Sequence, residues 1–87
     1  MIKGTTKTGF KFEMDEITFD NVELFDALVE MEDGNVLMTL PKITTMLLGP
    51  EQKKKLYDHL RKDGRVSMTD LSSEIVDIFN STKNGKN

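Results

Sequence analysis

A chain of 87 residues that contains no cysteine has to hold itself together with one small hydrophobic core. No disulfide framework can support it, and neither a thiolate zinc site nor a cysteine nucleophile can form in it. A chain of this length buries only about 60–65% of the surface that its unfolded form exposes, and it has no room for a second domain. The sequence therefore predicts one domain that acts through its surface rather than through a deep, enclosed active site.

The N-terminal residues alternate as the residues of a half-buried strand do. Phe10, Phe12 and Met14 share one face, whereas Lys11 and Glu13 take the other. Residues 2–6 are the predicted antiparallel partner, and residues 7–9 form the predicted turn, with a glycine at its end. The sequence thus predicts a β-hairpin that packs on helices.

The first predicted helix covers residues 21–31 and begins with a capping signal. Asp20 is placed to cap it, and Glu23 follows three residues later as the reciprocal partner. Apolar residues recur at helical spacing and are predicted to face the core: Val22, Phe25, Leu28 and Val29, widened by Leu24 and Met31.

Three further helices are delimited by proline, glycine and serine. A short helix is predicted to open at Pro41 and to stop at Gly49, and the next begins at Pro50 and ends near Gly64. The last helix is predicted to be capped by Ser67, by the same logic as the first.

The predicted fold class is mostly α, a small three- to four-helix domain with an N-terminal β-hairpin. This domain covers residues 1–80, and residues 81–87, which lack apolar side chains, form a predicted disordered tail. Eight residues are expected to be largely buried: Phe12, Phe25, Leu28, Leu47, Leu56, Leu60, Ile75 and Phe79.

Acidic and basic residues are segregated along the chain, although the net charge is only −3. Residues 13–33 contain nine acids and no Lys or Arg, whereas residues 42–65 contain seven basic residues and three acids. Such a division favours protein partners, or other copies of the chain, over a polyanion.

Two features could carry chemistry, and both fit poorly. His59 is the only histidine and has only Asp63 one helical turn away, so it lacks the nucleophile and orienting group that catalysis requires. Gly64 could be the turn glycine of a calcium loop, but His59 and Arg61 would then occupy positions that require carboxylates. The sequence predicts no enzyme, no cofactor, no metal site and no small-molecule substrate.

The lysine cluster at residues 53–55 could contact phosphates, but three lysines on an amphipathic helix of an acidic chain are more typical of a solvated face. No apolar run approaches the length that spans a bilayer, and the N-terminus has no secretory signal. We therefore expect neither a nucleic-acid nor a membrane partner, and a cytoplasmic location.

One segment holds more apolar residues than a short helix can hide on one side. Between Val36 and Leu48, eight of thirteen residues are Val, Leu, Met or Ile, and Lys42 is the only charge. One interpretation is a face for partner capture or for assembly into a homo-oligomer, built from Leu37, Met38, Leu40, Ile43 and Leu47. The other is a central helix that is buried on most sides.

The order of these segments resembles a known family. An acidic helix, FDNVELFDALVEMEDG, follows the hairpin and leads into LPKITTMLLGPEQKKKLYDHLRKDGRV. This string resembles the small tail assembly chaperones of siphophages and prophages of Gram-positive bacteria, over roughly residues 2–79.

The resemblance implies transient binding of the tape measure protein in the bacterial host cytoplasm. That partner is a long, helical and hydrophobic chain, which must stay soluble until the tail tube polymerises around it. Many members of the family also occur as a longer, frameshifted product. The alternative function is a small phage or prophage regulatory or adaptor protein that binds another protein or DNA.

Overall fold

The computed structural model of the protein describes residues 1–34 and 36–84, including all side chains in these ranges except those of residues 32, 36–38 and 82–84. A hairpin of β1 (Ile2–Thr5) and β2 (Lys11–Met14) is followed by a 3₁₀ turn (Glu16–Phe19). Three helices complete the described part of the chain: α1 (Val22–Glu32), α2 (Val36–Leu60) and α3 (Met68–Asn84). The predicted fold class, mostly α with an N-terminal β-hairpin, is confirmed.

The hairpin places its apolar residues against the helices. The strands are antiparallel, with Ile2 opposite Met14 and Gly4 opposite Phe12. Phe10, Phe12 and Met14 are all buried, as their alternation predicts. Gly4 allows close contact, because a Cβ atom added there would lie 2.6 Å from the Cζ atom of Phe12.

The N-cap of helix α1 lies one residue later than predicted. The side-chain oxygen of Asn21 accepts a hydrogen bond from the Glu23 N–H at 2.9 Å, so Asn21 is the N-cap. The prediction of Asp20 as the cap is wrong, because the Asp20 N–H bonds to Ile17 and closes the preceding 3₁₀ turn. That turn shifts the helix start along the chain.

Only part of the apolar stripe predicted for α1 faces the core. Leu24, Leu28 and Met31 pack inward, whereas the predicted inward orientation of Val22, Phe25 and Val29 is wrong. Leu24 and Ala27 are 2% and 0% exposed, whereas Phe25 is 65% exposed. The predicted burial of Phe25 is therefore wrong. Leu24, Ala27 and Met31 recur at helical spacing on the inward side, which places Phe25 on the opposite side of the helix.

Helix α2 has two arms that meet at a kink. Gly49 adopts φ 77° and ψ 167°, a positive φ that favours glycine, and Pro50 opens the second arm. The predicted break at this Gly-Pro pair is confirmed. The predicted start at Pro41 is wrong, because the helix begins at Val36 and includes the buried Thr39 and Leu40 before the proline.

The connection from α2 to α3, residues 61–67, contains a two-residue turn. The Lys62 N–H donates to the Arg65 carbonyl at 2.8 Å, and the Arg65 N–H donates back at 3.1 Å. Asp63 and Gly64 have φ of 54° and 82°, the left-handed values that such a turn requires. Ser67 then accepts a hydrogen bond from the Asp70 N–H at 3.3 Å, which confirms the predicted cap.

Helix α3 continues to Asn84. The first four residues of the predicted disordered tail, 81–84, are therefore helical, and residues 85–87 lie outside the described part of the chain.

The core lies where the hairpin, the inward side of α1, both arms of α2 and α3 meet. Five of the predicted core residues are confirmed as buried: Phe12, Leu47, Leu56, Leu60 and Ile75. Leu28 and Phe79 are partly buried and pack against that core, and Phe79 contacts Phe19 with ring centroids 5.9 Å apart. Leu40, Ile43 and Ile78 are fully buried as well.

Candidate protein-binding surface

The apolar segment in the first arm of α2 lies mostly inside the molecule. Leu40 and Ile43 are 0% exposed and Leu47 is 3% exposed. The side chains of Leu37 and Met38 lie outside the described residues. These three residues are buried, as expected for a central helix. Their role in partner binding stays a prediction, and such binding would require the domain to open.

An apolar surface lies instead on the outer side of α1. Val22, Phe25 and Val29 are 75%, 65% and 42% exposed. Their spacing of three and four residues puts them one above another on the same side of the helix. We call these three residues the outer row. Single exposed apolar residues are normal on protein surfaces, but a row that includes a phenylalanine is typical of an interaction site.

A row of acids runs directly beside the outer row. Glu23, Asp26 and Glu30 have the same spacing, shifted by one residue, and all three are exposed. We call them the acidic row. No Lys or Arg occurs between residues 13 and 33, so no basic residue of this segment neutralises the row. The outer side of α1 is therefore both apolar and negative.

The sequence interpretation missed this face because the apolar residues of α1 extend around more than half of the helix. Leu24, Ala27 and Met31 form a third row, the inner row, which packs against the core. The predicted stripe combined the outer row with Leu24 and Met31 of the inner row. Two apolar rows with the same spacing, separated by a row of acids, are the signal that could have distinguished them.

A shallow groove between the two arms of α2 is lined by more basic than acidic residues, in contrast to the acidic outer side of α1. Lys53 is held in place there, because its Nζ donates to Thr45 Oγ1 at 2.9 Å and lies 5.5 Å from the centre of the Tyr57 ring. Burial raises the pKa of the Tyr57 hydroxyl above its usual value. The lining is completed by Pro50, Lys54, Asp58 and Arg61.

A buried carboxylate ties the tip of the hairpin to α3. Glu74 is 2% exposed and accepts hydrogen bonds from Thr6 Oγ1 at 2.6 Å and from Thr8 Oγ1 at 2.9 Å. Beside it, the Lys7 N–H donates to Asp77 at 2.6 Å. We call this group the hairpin clamp. It fixes the position of the hairpin on the helices.

His59 also contacts the hairpin clamp. The Nε2 atom of His59 lies 3.1 Å from Thr8 Oγ1, and its ring lies 5.6 Å from that of Phe10. The Thr8 hydroxyl donates its proton to Glu74. His59 is therefore not placed as a general base that would activate Thr8 as a nucleophile. The cluster is a hydrogen-bonded support for the hairpin.

Gly64, the candidate glycine of a calcium loop, has a simple structural role. It belongs to the two-residue turn within the connection between α2 and α3. Among the side chains that the structure describes, no three of His, Cys, Asp or Glu are grouped as metal ligands would be. None of the helices in this part of the chain combines the length and apolar character that a bilayer crossing requires.

Comparisons with protein-family models, curated proteins and solved structures found no match.

Proposed function

We propose that this protein is a tail assembly chaperone that binds the tape measure protein through the outer row of α1. One observation carries the proposal: Val22, Phe25 and Val29 form an exposed apolar row on a folded domain. Such a row contacts a helical apolar partner without any unfolding of the chaperone. The order of the elements, which resembles that of small tail assembly chaperones, supplies the class of partner.

The fold supports a binding role for α1 because the helix is anchored independently of its outer row. The inner row and Leu28 pack against the core, and Asn21 caps the first turn. The outer row therefore adds little to the stability of the domain in its free form. Apolar side chains that contribute little to folding are available to a partner.

The test uses binding of tape measure fragments to a matched pair of variants. Val29 and Val76 are 42% and 48% exposed and lie on α1 and α3. Val29→Ser is expected to weaken fragment binding by about 5- to 10-fold, since it removes an apolar contact of about 1 kcal/mol. Val76→Ser changes a similarly exposed valine on another helix, and its affinity should stay within about twofold of the unmodified protein.

Equal affinities for both variants would remove the outer row as the binding surface. Gene order provides an independent check of the assignment. A tape measure gene is expected downstream of the gene for this chain, and a major tail protein gene upstream. If the fragments do not bind at all, the alternative, a small regulatory or adaptor protein, becomes the better assignment.

A further inference from the structure

From the acidic row beside the outer row, we infer that the segment bound on α1 is an amphipathic helix whose apolar stripe is bordered by Lys or Arg. The inference rests on the proposed function, because it concerns the same surface. It identifies the chemistry of the bound segment, which neither the exposed apolar residues nor the fold specifies.

The geometry supports a helix as the bound element. The outer row and the acidic row are parallel, each with residues spaced by three and four, and both run along the eleven residues of α1. At about 1.5 Å per residue, α1 is roughly 16 Å long, which corresponds to about three turns of a partner helix. A partner helix that packs along α1 presents its own residues with the same period and can match both rows at once.

The charges determine which helix fits. A helix with acids beside its apolar stripe would bring like charges against Glu23, Asp26 and Glu30 as both surfaces lose water. A helix with Lys or Arg in that position pairs with these carboxylates, while the aliphatic stems of its basic residues cover the edge of the apolar contact. The acidic row thus discriminates between partners that the outer row alone would accept equally.

The experiment compares two amphipathic peptides of about 18 residues with the same leucine stripe, one with Lys and one with Glu on the remaining positions. A third peptide contains the residues of the Leu/Lys peptide in scrambled order, so that it has the same charge without the stripe. Binding to the full chain is measured by fluorescence anisotropy at low salt and at about 0.3 M NaCl. The Leu/Lys peptide is expected to bind at least about 10-fold more tightly than either of the others, and more weakly at high salt.

A matched pair of protein variants locates the effect on α1. Glu23→Gln/Asp26→Asn/Glu30→Gln neutralises the acidic row and is expected to weaken Leu/Lys binding by roughly 3- to 30-fold. Glu51→Gln/Asp58→Asn/Asp63→Asn removes the same charge from exposed positions outside α1 and should leave that affinity within about twofold. Circular dichroism confirms that both variants are folded before they are compared.

Three outcomes would overturn the inference. If the Leu/Lys and Leu/Glu peptides bind equally and Val29→Ser weakens both, charge selection is excluded while the proposed use of the outer row stands. If the two charge variants weaken binding equally, net charge rather than the acidic row is responsible. If neither peptide binds and Val29→Ser leaves tape measure binding unchanged, both the inference and the proposed binding surface are excluded.

Discussion

Gln52 on α2 pairs with the backbone of Glu13 as a neighbouring strand would. Its side-chain oxygen accepts from the Glu13 N–H at 2.8 Å, and its nitrogen donates to the Glu13 carbonyl at 2.7 Å. Glu13 lies on β2, whose other edge pairs with β1. One glutamine amide therefore covers part of the free edge of β2 and joins the hairpin to the second arm of α2.

Loss of this amide should weaken the attachment of the hairpin to α2. We expect Gln52→Ala to lower the free energy of unfolding by about 1–2 kcal/mol, because three hydrogen bonds are lost, two with the Glu13 backbone and one with the Leu48 carbonyl. Urea denaturation measures the change. Lys55→Ala, at an exposed position on the same arm, is the control and should change stability by less than about 0.5 kcal/mol. A similar loss in both variants would contradict the role assigned to Gln52.

The hairpin clamp leads to a prediction for Thr6. Thr6→Val keeps the shape of the side chain but removes the donor to the buried Glu74 carboxylate, 2.6 Å away. We expect a loss of about 1.5–3 kcal/mol, the range for a hydrogen bond to a charged group. Thr5→Val provides the matched control, since Thr5 is exposed on the adjacent strand position. If thermal denaturation shows equal stability for the two variants, Thr6 does not support Glu74.

A third prediction concerns the contact between Gly4 and the ring of Phe12. Gly4→Ala would place a methyl group 2.6 Å from the ring Cζ atom, so either the ring or the strand must move. We expect destabilisation of about 1–3 kcal/mol, as for other overpacked core sites. The double variant Gly4→Ala/Phe12→Leu tests the cause, because it removes the atoms that collide. Its measured loss should be smaller than the sum of the two single losses.

A fourth prediction tests which side of α1 faces the core. Leu24→Ala should cost about 2–5 kcal/mol, because it empties a buried site. Phe25→Ala, at the next residue, should change the free energy of unfolding by less than about 1 kcal/mol, because Phe25 is exposed. Chemical denaturation of the two variants provides the comparison. The reverse order of losses would show that α1 is rotated relative to the structure.

The fifth prediction concerns nucleic acid. The basic residues of α2 are opposed by an acidic α1 and a net charge of −3, so non-specific attraction to phosphates should be weak. Micromolar protein is expected not to retard duplex DNA in a gel at about 150 mM salt. Retardation under these conditions that is lost in Lys54→Gln/Lys55→Gln would instead support the DNA-binding regulator.

Much of this fold follows from local patterns in the sequence. The alternation of Phe10, Phe12 and Met14 specified the buried side of the hairpin, because side chains in a strand alternate between two faces. The Gly49–Pro50 pair specified the kink in α2, and Ser67 specified the start of α3. Each of these signals depends on residues that are close in the chain and retain the same preference in many tertiary contexts.

Which apolar residues are buried depends on long-range packing. Apolar side chains extend around most of α1, so helical periodicity allows either the inner or the outer row to face inward, and packing against the rest of the domain selects the inner one. Leu40, Ile43 and Leu47 are likewise buried because other elements pack over them, and the local sequence does not predict that packing. The bond between Thr6 and Glu74 joins residues 68 positions apart, and such pairs form only when the chain has closed around its core.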